Sequence, residues 1–201
     1  GLDWYAAKPN RISSVVHRDE AQLNPGQNSQ TLAMIEAVMS VAPAMAEKTT
    51  LVLKDNAGVA LPAAPWLLGA EGPAILEVWF PGQEDGNIVA DLLFGKVNPS
   101  GKAPVTFPIA GRSFLDALAP EAYPGVLKDG KAAVTYLEGR YMGYRWYDGN
   151  RSGACALTPG GENPCVAFPF GHGLSYTTFS LTPFSQRWER GVLKLETTVH
   201  N

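Results

Sequence analysis

The sequence predicts an α/β fold, in which an open, mostly parallel sheet is flanked by helices and is followed by the truncated start of a β-sandwich. Two short segments, 49–54 and 74–80, are apolar and rich in β-branched or aromatic residues, as buried strands are. A glycine-rich turn and an amphipathic stretch follow the second segment, and this order is typical of a parallel sheet. Near the carboxyl terminus, alternating apolar and polar residues indicate the first strands of an all-β unit.

The composition is that of a globular protein and excludes several classes of partner. Of 201 residues 45% are hydrophobic, so a packed core is expected. The net charge is −3, with no basic excess, which argues against nucleic acid as a partner. No apolar run reaches about eighteen residues, which argues against a membrane partner. Residues 1–10 lack the regions of a secretion signal, and the chain is expected to begin within a longer protein.

The first predicted element is an amphipathic helix that begins at Asn28 or Ser29 and ends near Pro43. Its apolar residues recur at helical spacing: Leu32, Ile35, Val38, Met39 and Ala42. The polar residues before it, 1–26, are predicted to be a loop.

The next elements form a strand–turn–helix unit. Thr49–Lys54 and Ala74–Phe80 are predicted to be buried strands. The turn Pro81–Asn87 follows, and then a helix that ends near Gly95, a residue suited to a helix carboxyl terminus. In open parallel sheets the turns at the carboxyl ends of the strands line the ligand crevice, so we expect Pro81–Asn87 to border a site.

The rest of the chain is divided by Gly and Pro into shorter elements. Ala103–Pro108 is predicted to be an edge strand, because its prolines cannot donate to an interior ladder. Residues 112–130 are predicted to be a loop, and Ala133–Leu137 a strand. Thr177–Ser180 and Leu193–Val199 alternate like β-strands, and a sandwich needs about seven strands, so this one is barely begun.

Charged residues in the turns have two interpretations each. Glu84 and Asp85 either complement the dipole of the following helix or hydrogen-bond a sugar at the crevice, and the first interpretation is preferred. His172, between two glycines, is predicted to be a structural histidine in a tight turn. No Gly-x-Ser-x-Gly nucleophile elbow and no phosphate-binding loop occurs.

The aromatic segment Glu138–Asp148 and the two cysteines also leave alternatives open. Its tyrosines, Trp146 and arginines either stack on a sugar or pack in a core. Cys155 and Cys165 have too few neighbouring ligands for a metal site, so no metal is expected. They form either a loop disulfide or two thiols.

Four motifs follow the second strand in a fixed order. They are WFPGQEDGN at 79–87, NPSGKAPVTFP at 98–108, EGRYMGYRWYD at 138–148 and FPFGHGLSY at 168–176. Together they closely resemble glycoside hydrolase family 3, and the likeness extends more weakly to the helix after Gln27 and the strands after Tyr176.

The resemblance implies a domain organisation and an activity. In this family a (β/α)8 barrel carries the aspartate nucleophile, an α/β sandwich domain follows, and many members end in a fibronectin type III-like domain. Residues 1–176 are then an incomplete α/β sandwich domain, and residues 177–201 the start of the fibronectin-like domain. The implied activity is that of a retaining, exo-acting β-glucosidase-like hydrolase without cofactor. It would act on β-linked glycosides with the barrel as its partner, in the periplasm or outside the cell.

The motif in which the resemblance places the general acid/base is altered in this sequence. Many relatives have a glutamate shortly before a segment that corresponds to Leu23–Gln27. Counting back without gaps puts Ser14 in that place, and with an insertion Glu20 becomes the candidate acid/base. Alternatively, the acid/base precedes Gly1 or has been lost. Glu84 does not occupy the family's acid/base position.

Two other functions remain open at the level of sequence. Ser14 in the glutamate's place is what a non-catalytic carbohydrate-binding or assembly module would show. The strand and helix order alone would also suit an independent flavodoxin-like binding domain, although the unfinished sandwich argues against independence.

Overall fold

The computed structural model describes residues 28–41, 47–55, 58–70, 72–123, 125–149, 153–156 and 163–201. The chain divides into two compact units. The first comprises Gly1–Gly82 and Lys102–His172, and the second comprises Gln83–Gly101 and Gly173–Asn201.

The described part of the first unit begins with helix α1 (Asn28–Val41), which confirms the first predicted helix. Met39 is buried on it. A four-residue helix, α2 (Pro65–Leu68), starts with proline, whose fixed φ suits a first helical turn and whose missing N–H is not needed there. Leu67 of α2 is buried.

Strands β1 (Thr50–Leu53) and β2 (Ala74–Glu77) pair in parallel, with Leu53 opposite Glu77. Both were predicted, but β2 ends three residues early. Trp79 has a φ of +50°, a left-handed conformation that no strand residue adopts, and the ladder cannot continue through it.

The remaining strands of the first unit form two antiparallel pairs. Strand β3 (Phe107–Pro108) pairs with β6 (Val166–Phe168), and β4 (Val126–Lys128) pairs with β5 (Lys131–Ala133). Within the described residues the parallel pairings are β1 with β2 and an isolated bridge between Leu61 and Ile109. The α/β class is thus confirmed in its coarse form, whereas a mostly parallel sheet is not seen.

The strand predicted at Ala133–Leu137 is wrong in position. Asp129 and Gly130 have φ of +51° and +72°, the geometry of a two-residue hairpin turn, and this turn pairs Lys128 with Lys131. Strand β5 ends at Ala133, which pairs with Val126, the first residue of β4. The Asp-Gly pair lies inside the predicted loop 112–130, so the hairpin signal was missed.

A cluster of buried aromatic and cysteine residues packs around helix α4 (Tyr144–Asp148) in the first unit. Its buried members, called here the disulfide core, are Trp146, Tyr147, Cys155 and Cys165. Cys155 ends a 3-10 turn, Gly153–Cys155, and is joined to Cys165 by a disulfide. Of the two cysteine states left open by the sequence, the structure has the bridged one.

The second unit contains helix α3 (Asp85–Leu93) and four short strands. Strand β7 (Ser180–Leu181) pairs with β10 (Val199–His200), and β8 (Ser185–Glu189) pairs with β9 (Val192–Glu196), all antiparallel. The helix agrees with the prediction and is followed by Gly95 at a φ of +72°. Strand β8 was not predicted, and the predicted strand at Leu193–Val199 is divided between β9 and β10.

In the part of the chain that the structure describes, no helix has the length and apolar character needed to span a membrane.

Candidate functional site

Two carboxyl groups lie near the carboxyl ends of the parallel strands, where α/β sheets place their ligand sites. Glu77 ends β2, and Asp55 follows β1 by two residues. Burial raises the pKa of both carboxyl groups, and the nearby Asp55 raises that of Glu77 further, although the Trp79 N–H opposes the shift. The shifts follow from partial desolvation of two neighbouring acids.

Glu77 holds the backbone of the turn that follows β2. Its Oε1 accepts a hydrogen bond of 2.9 Å from the Trp79 N–H, while Oε2 is buried without a hydrogen-bond partner among the described residues. The left-handed backbone of Trp79 costs about 1 kcal/mol or more and must be held by its surroundings. The Trp79 ring also packs against Phe107, with centroids 5.8 Å apart. Glu77 thus has a positioning role that the motif search did not find.

The turn after Trp79 leads into the amino terminus of helix α3. Glu84 accepts a hydrogen bond of 2.6 Å from the amide of Asn87, and Asp85 is the first residue of α3. These positions put two acids at the positive end of the helix dipole. The geometry favours the preferred interpretation of these two acids over the sugar-binding one.

The aromatic segment 138–148 divides into buried and exposed rings. Trp146 and Tyr147 belong to the disulfide core, with ring centroids 5.0 Å apart in an edge-to-face arrangement. Tyr144 is one of the exposed residues: it is 38% exposed, and its ring stacks on that of Phe170 with the centroids 4.7 Å apart. Core packing therefore accounts for Trp146 and Tyr147, whereas the ring of Tyr144 is partly open to solvent.

The exposed rings border a cavity of about 390 Å³ in the first unit. We call it the aromatic cavity. Its aromatic and larger aliphatic lining residues are Phe114, Leu115, Met142, Tyr144, Tyr147 and Phe170. None of the described lining residues carries a charge. The cavity was not predicted, since its walls come from segments distant in sequence.

Hydrogen bonds around the disulfide fix the rear of this cavity. The Phe114 N–H donates to the Tyr147 hydroxyl at 3.0 Å, and the Asn163 amide donates to the Tyr147 carbonyl at 3.1 Å. The Ile109 N–H donates to the Cys165 carbonyl at 2.8 Å. Burial raises the pKa of Tyr147 to about 12. Its hydroxyl is therefore protonated at neutral pH.

His172 lies in the turn after β6, and its surroundings agree with a structural role. Its backbone N–H donates to Pro169 at 3.0 Å, its carbonyl accepts from Ala103 at 2.8 Å, and its ring centroid is 5.0 Å from that of Phe168. Burial, with Lys102 as a second cause, lowers its pKa. A neutral imidazole is thereby favoured.

In the second unit, Asn98 of the NPSGK motif ties its loop to the segment after Gly173. Its amide donates to Ser175 Oγ at 2.9 Å, and its carbonyl oxygen accepts the Tyr176 N–H at 2.9 Å. The Tyr176 hydroxyl donates to the Leu92 carbonyl at 2.8 Å. This part of the motif is a structural connector.

The candidate acid/base Glu20 lies outside the described residues, as does Ser14, which an ungapped count puts in the glutamate's place. The assignment of Glu20 therefore stays a prediction. Among the described residues, no group of three or more His, Cys, Asp or Glu side chains is placed to hold a metal ion.

The first unit contains a parallel strand pair with two carboxyl groups at its end, a disulfide core and an aromatic cavity. These features define an α/β domain of the kind that borders small-molecule sites in enzymes. The family model described as the glycosyl hydrolase family 3 C-terminal domain matches residues 13–176. The chain therefore belongs to glycoside hydrolase family 3, and the resemblance seen in the sequence is confirmed.

Similar proteins bear β-glucosidase names. Beta-glucosidase B of Emericella nidulans is 44% identical over 145 residues, which are 70% of this chain and 15% of that protein. Probable beta-glucosidase I of the same organism is 36% identical over 166 residues, which are 81% of this chain and 16% of that protein. The chain thus spans about a sixth of the length of these relatives.

Solved structures of similar proteins agree. DesR, a β-glucosidase from Streptomyces venezuelae in complex with D-glucose, is 38% identical with a TM-score of 0.63, covering 87% of this chain and 19% of that one. β-Glucosidase 3B from Thermotoga neapolitana in complex with α-D-glucose is 33% identical with a TM-score of 0.62, covering 86% of this chain and 21% of that one. This chain is thus similar in fold and sequence to a minor part of these enzymes.

Proposed function

We propose that the chain is part of a retaining, exo-acting β-glucosidase-like hydrolase, which removes terminal β-linked sugars when the chain is joined to a (β/α)8 barrel. One observation carries the proposal: the ordered motifs from Trp79 to Tyr176 fall within the family match at 13–176. The β-glucosidase names of the relatives support it. In this proposal residues 1–176 are the α/β sandwich domain, and residues 177–201 begin a fibronectin type III-like domain.

The proposed reaction needs two carboxyl groups. An aspartate of the barrel attacks the anomeric carbon as the glycosidic bond breaks, and an acid protonates the departing oxygen. The same acid, now a carboxylate, then takes a proton from the water that displaces the enzyme aspartate. We assign this second group to Glu20.

The activity is tested on the longer protein that carries the chain. Assays on aryl β-D-glucoside, β-D-xyloside and N-acetyl-β-D-glucosaminide are expected to show cleavage of at least one. The 201-residue chain alone is expected to be inactive, because the proposed nucleophile belongs to the barrel. Failure on all three substrates, or turnover by the chain alone, contradicts the proposal.

The role of Glu20 is tested in the same protein with Glu20→Gln, and Asp19→Asn is the matched control. Loss of an acid/base lowers kcat by roughly 10²–10⁴-fold for glycosides with poor leaving groups. Azide, a nucleophile that needs no general base, is expected to restore turnover of an activated aryl glycoside and to give a glycosyl azide of retained configuration. An unaffected Glu20→Gln enzyme, or an equal loss in Asp19→Asn, places the acid/base elsewhere.

A non-catalytic carbohydrate-binding module is the second candidate, because Ser14 occupies the position where an ungapped count expects the glutamate. In that case the longer protein binds oligosaccharide in calorimetry without hydrolysing it. For either function we propose an oxidising location, periplasmic or extracellular, and the Cys155–Cys165 disulfide supports it. Alkylation of the protein from cells with and without reductant reports the redox state in place.

A further inference from the structure

The aromatic cavity has the volume of a small-molecule site and is open on one side to solvent. Its volume of about 390 Å³ lies within the usual range for ligand pockets, roughly 300–1,000 Å³. A cavity of about 150 Å³ with apolar walls suffices to bind benzene. The cavity therefore has room for one substituted ring.

The walls of the cavity select for a flat, apolar group. Tyr144 and Phe170 are stacked on each other with 19° between their planes, so the faces that they turn to each other are covered. The two residues are 38% and 50% exposed, which leaves the edges and outer faces of the pair open. Met142, 59% exposed, adds a flexible thioether at the same border, and sulfur–aromatic contacts are favourable. An aromatic ring can contact all three groups.

The polar side chains that line the cavity are four hydroxyl groups, those of Thr106, Ser113, Tyr144 and Tyr147. The Ser113 Oγ accepts the Asp116 N–H at 3.2 Å, and the Tyr144 hydroxyl accepts from Arg145 at 3.4 Å. Tyr147 accepts from Phe114 and keeps its proton at neutral pH, so its O–H can donate to one ligand oxygen. The lining offers no carboxylate, amide or cation to a ligand, so a charged ligand would be partly desolvated without an opposite charge.

We propose that the aromatic cavity binds an uncharged phenol-like group, with its ring against Tyr144 and Phe170 and its oxygen toward Tyr147. The group comes either from a free phenol or from the aryl part of an aryl glycoside. The site is preorganised, because hydrogen bonds and the disulfide core fix Tyr147 before any ligand arrives.

Binding is tested on the longer protein that carries the chain, with phenol, phenyl 1-thio-β-D-glucoside, methyl β-D-glucoside and benzoate as probes. Photolabelling with phenyl azide and peptide mapping locates the ring-binding site. The label is expected on peptides that contain residues 104–115, 142–147 or 170, and excess phenol is expected to suppress it. Suppression by the thioglucoside and not by phenol assigns the glycoside as the source. Labelling confined to other peptides, or equal suppression by methyl glucoside or benzoate, overturns the proposal.

Variants of the border residues make the test independent of glycosidase activity. Phe170→Leu keeps apolar bulk without the ring and is expected to weaken phenol binding by roughly three- to tenfold, the range measured for one aromatic contact. The control is Tyr136→Ala, which removes a ring that is 85% exposed and does not line the cavity. This variant is expected to bind phenol within twofold of the parent. Unchanged binding in a folded Phe170→Leu protein, or an equal loss in Tyr136→Ala, overturns the proposal.

Discussion

The two tryptophans Trp146 and Trp188 differ in burial, because they lie in two differently packed regions. Trp146 is 6% exposed in the disulfide core, and Trp188 is 72% exposed in the β8–β9 hairpin. The core joins Trp146 to Cys165, and Phe114, more distant in sequence, packs against it. The hairpin is held by neighbours in sequence. A tryptophan in a sequence therefore does not by itself indicate a core position.

The hairpin separates its residues by face instead of burying them. Trp188 lies opposite Leu193, and Leu195 lies on the same face. On the other face Arg187 pairs with Glu189 and Glu196, each at 3.3 Å, and Lys194 pairs with Glu189. All these pairs are exposed to solvent, so each contributes little to stability.

The largest difference between the two regions is expected for truncation of the two tryptophans. Trp146→Ala should lower the free energy of unfolding of the first unit by about 3–5 kcal/mol, because it leaves a cavity in the core. Trp188→Ala should cost the hairpin about 1 kcal/mol or less, the value of a cross-strand pair. Hydrogen exchange of peptides from each region measures both changes. Equal losses would remove the distinction between the regions.

Removal of the disulfide is the next largest test. The Cys155→Ala, Cys165→Ala double variant is expected to lose about 2–4 kcal/mol in the first unit, as is usual for a native disulfide. Peptides from 185–196 should exchange as before, because the hairpin contains no cysteine. Faster exchange in the hairpin would show that its stability depends on the core.

A smaller effect is expected from the ionisation of Tyr147. Its pKa is raised from 10.0 to about 12, so the folded state favours the protonated phenol. This contribution to stability is fully present below pH 10 and is lost as the pH rises through about 12. Tyr147→Phe should weaken the decline of stability over this range, at a cost of about 1 kcal/mol for the lost Phe114 hydrogen bond. The control Tyr136→Phe should keep the decline seen in the unaltered protein.

The smallest effect is expected in the charged face of the hairpin. Arg187→Ala should destabilise it by about 0.2–1 kcal/mol, and the difference should disappear in about 1 M salt, where exposed charges are screened. Gln186→Ala, on the apolar face next to it, is the control without a charge. Exchange rates of the hairpin peptides at two salt concentrations measure this, and a salt-independent loss would indicate packing by the arginine stem.

Some helices and strands could be predicted from the sequence, and others could not. Local signals predicted α1, β1 and α3 well, because hydrophobic period and capping residues act over a few positions. Strand β8 was missed because its residues are mainly polar, and the turn at Asp129 because its Asp-Gly pair lay in a segment assigned to a loop. The end of β2 depends on the left-handed backbone conformation of Trp79, which the pattern of side chains along the sequence does not predict.

The candidate site shows the same limit more strongly. The motifs predicted the family, since their order carries information that single residues do not. The aromatic cavity and the partnership of Glu77 with Trp79 depend on side-chain positions in three dimensions. Period and spacing along a chain do not contain those positions.

The two-residue turn at Arg190 and Gly191, with φ of +49° and +78°, has a consequence for how the hairpin can vary. Side chains alternate between faces with a period of two, so one inserted or deleted residue would turn a whole strand over. Lys194 would then share a face with Trp188, and the ionic pairs would be lost. Changes in length at this turn should therefore be tolerated far less than changes of residue type on the charged face.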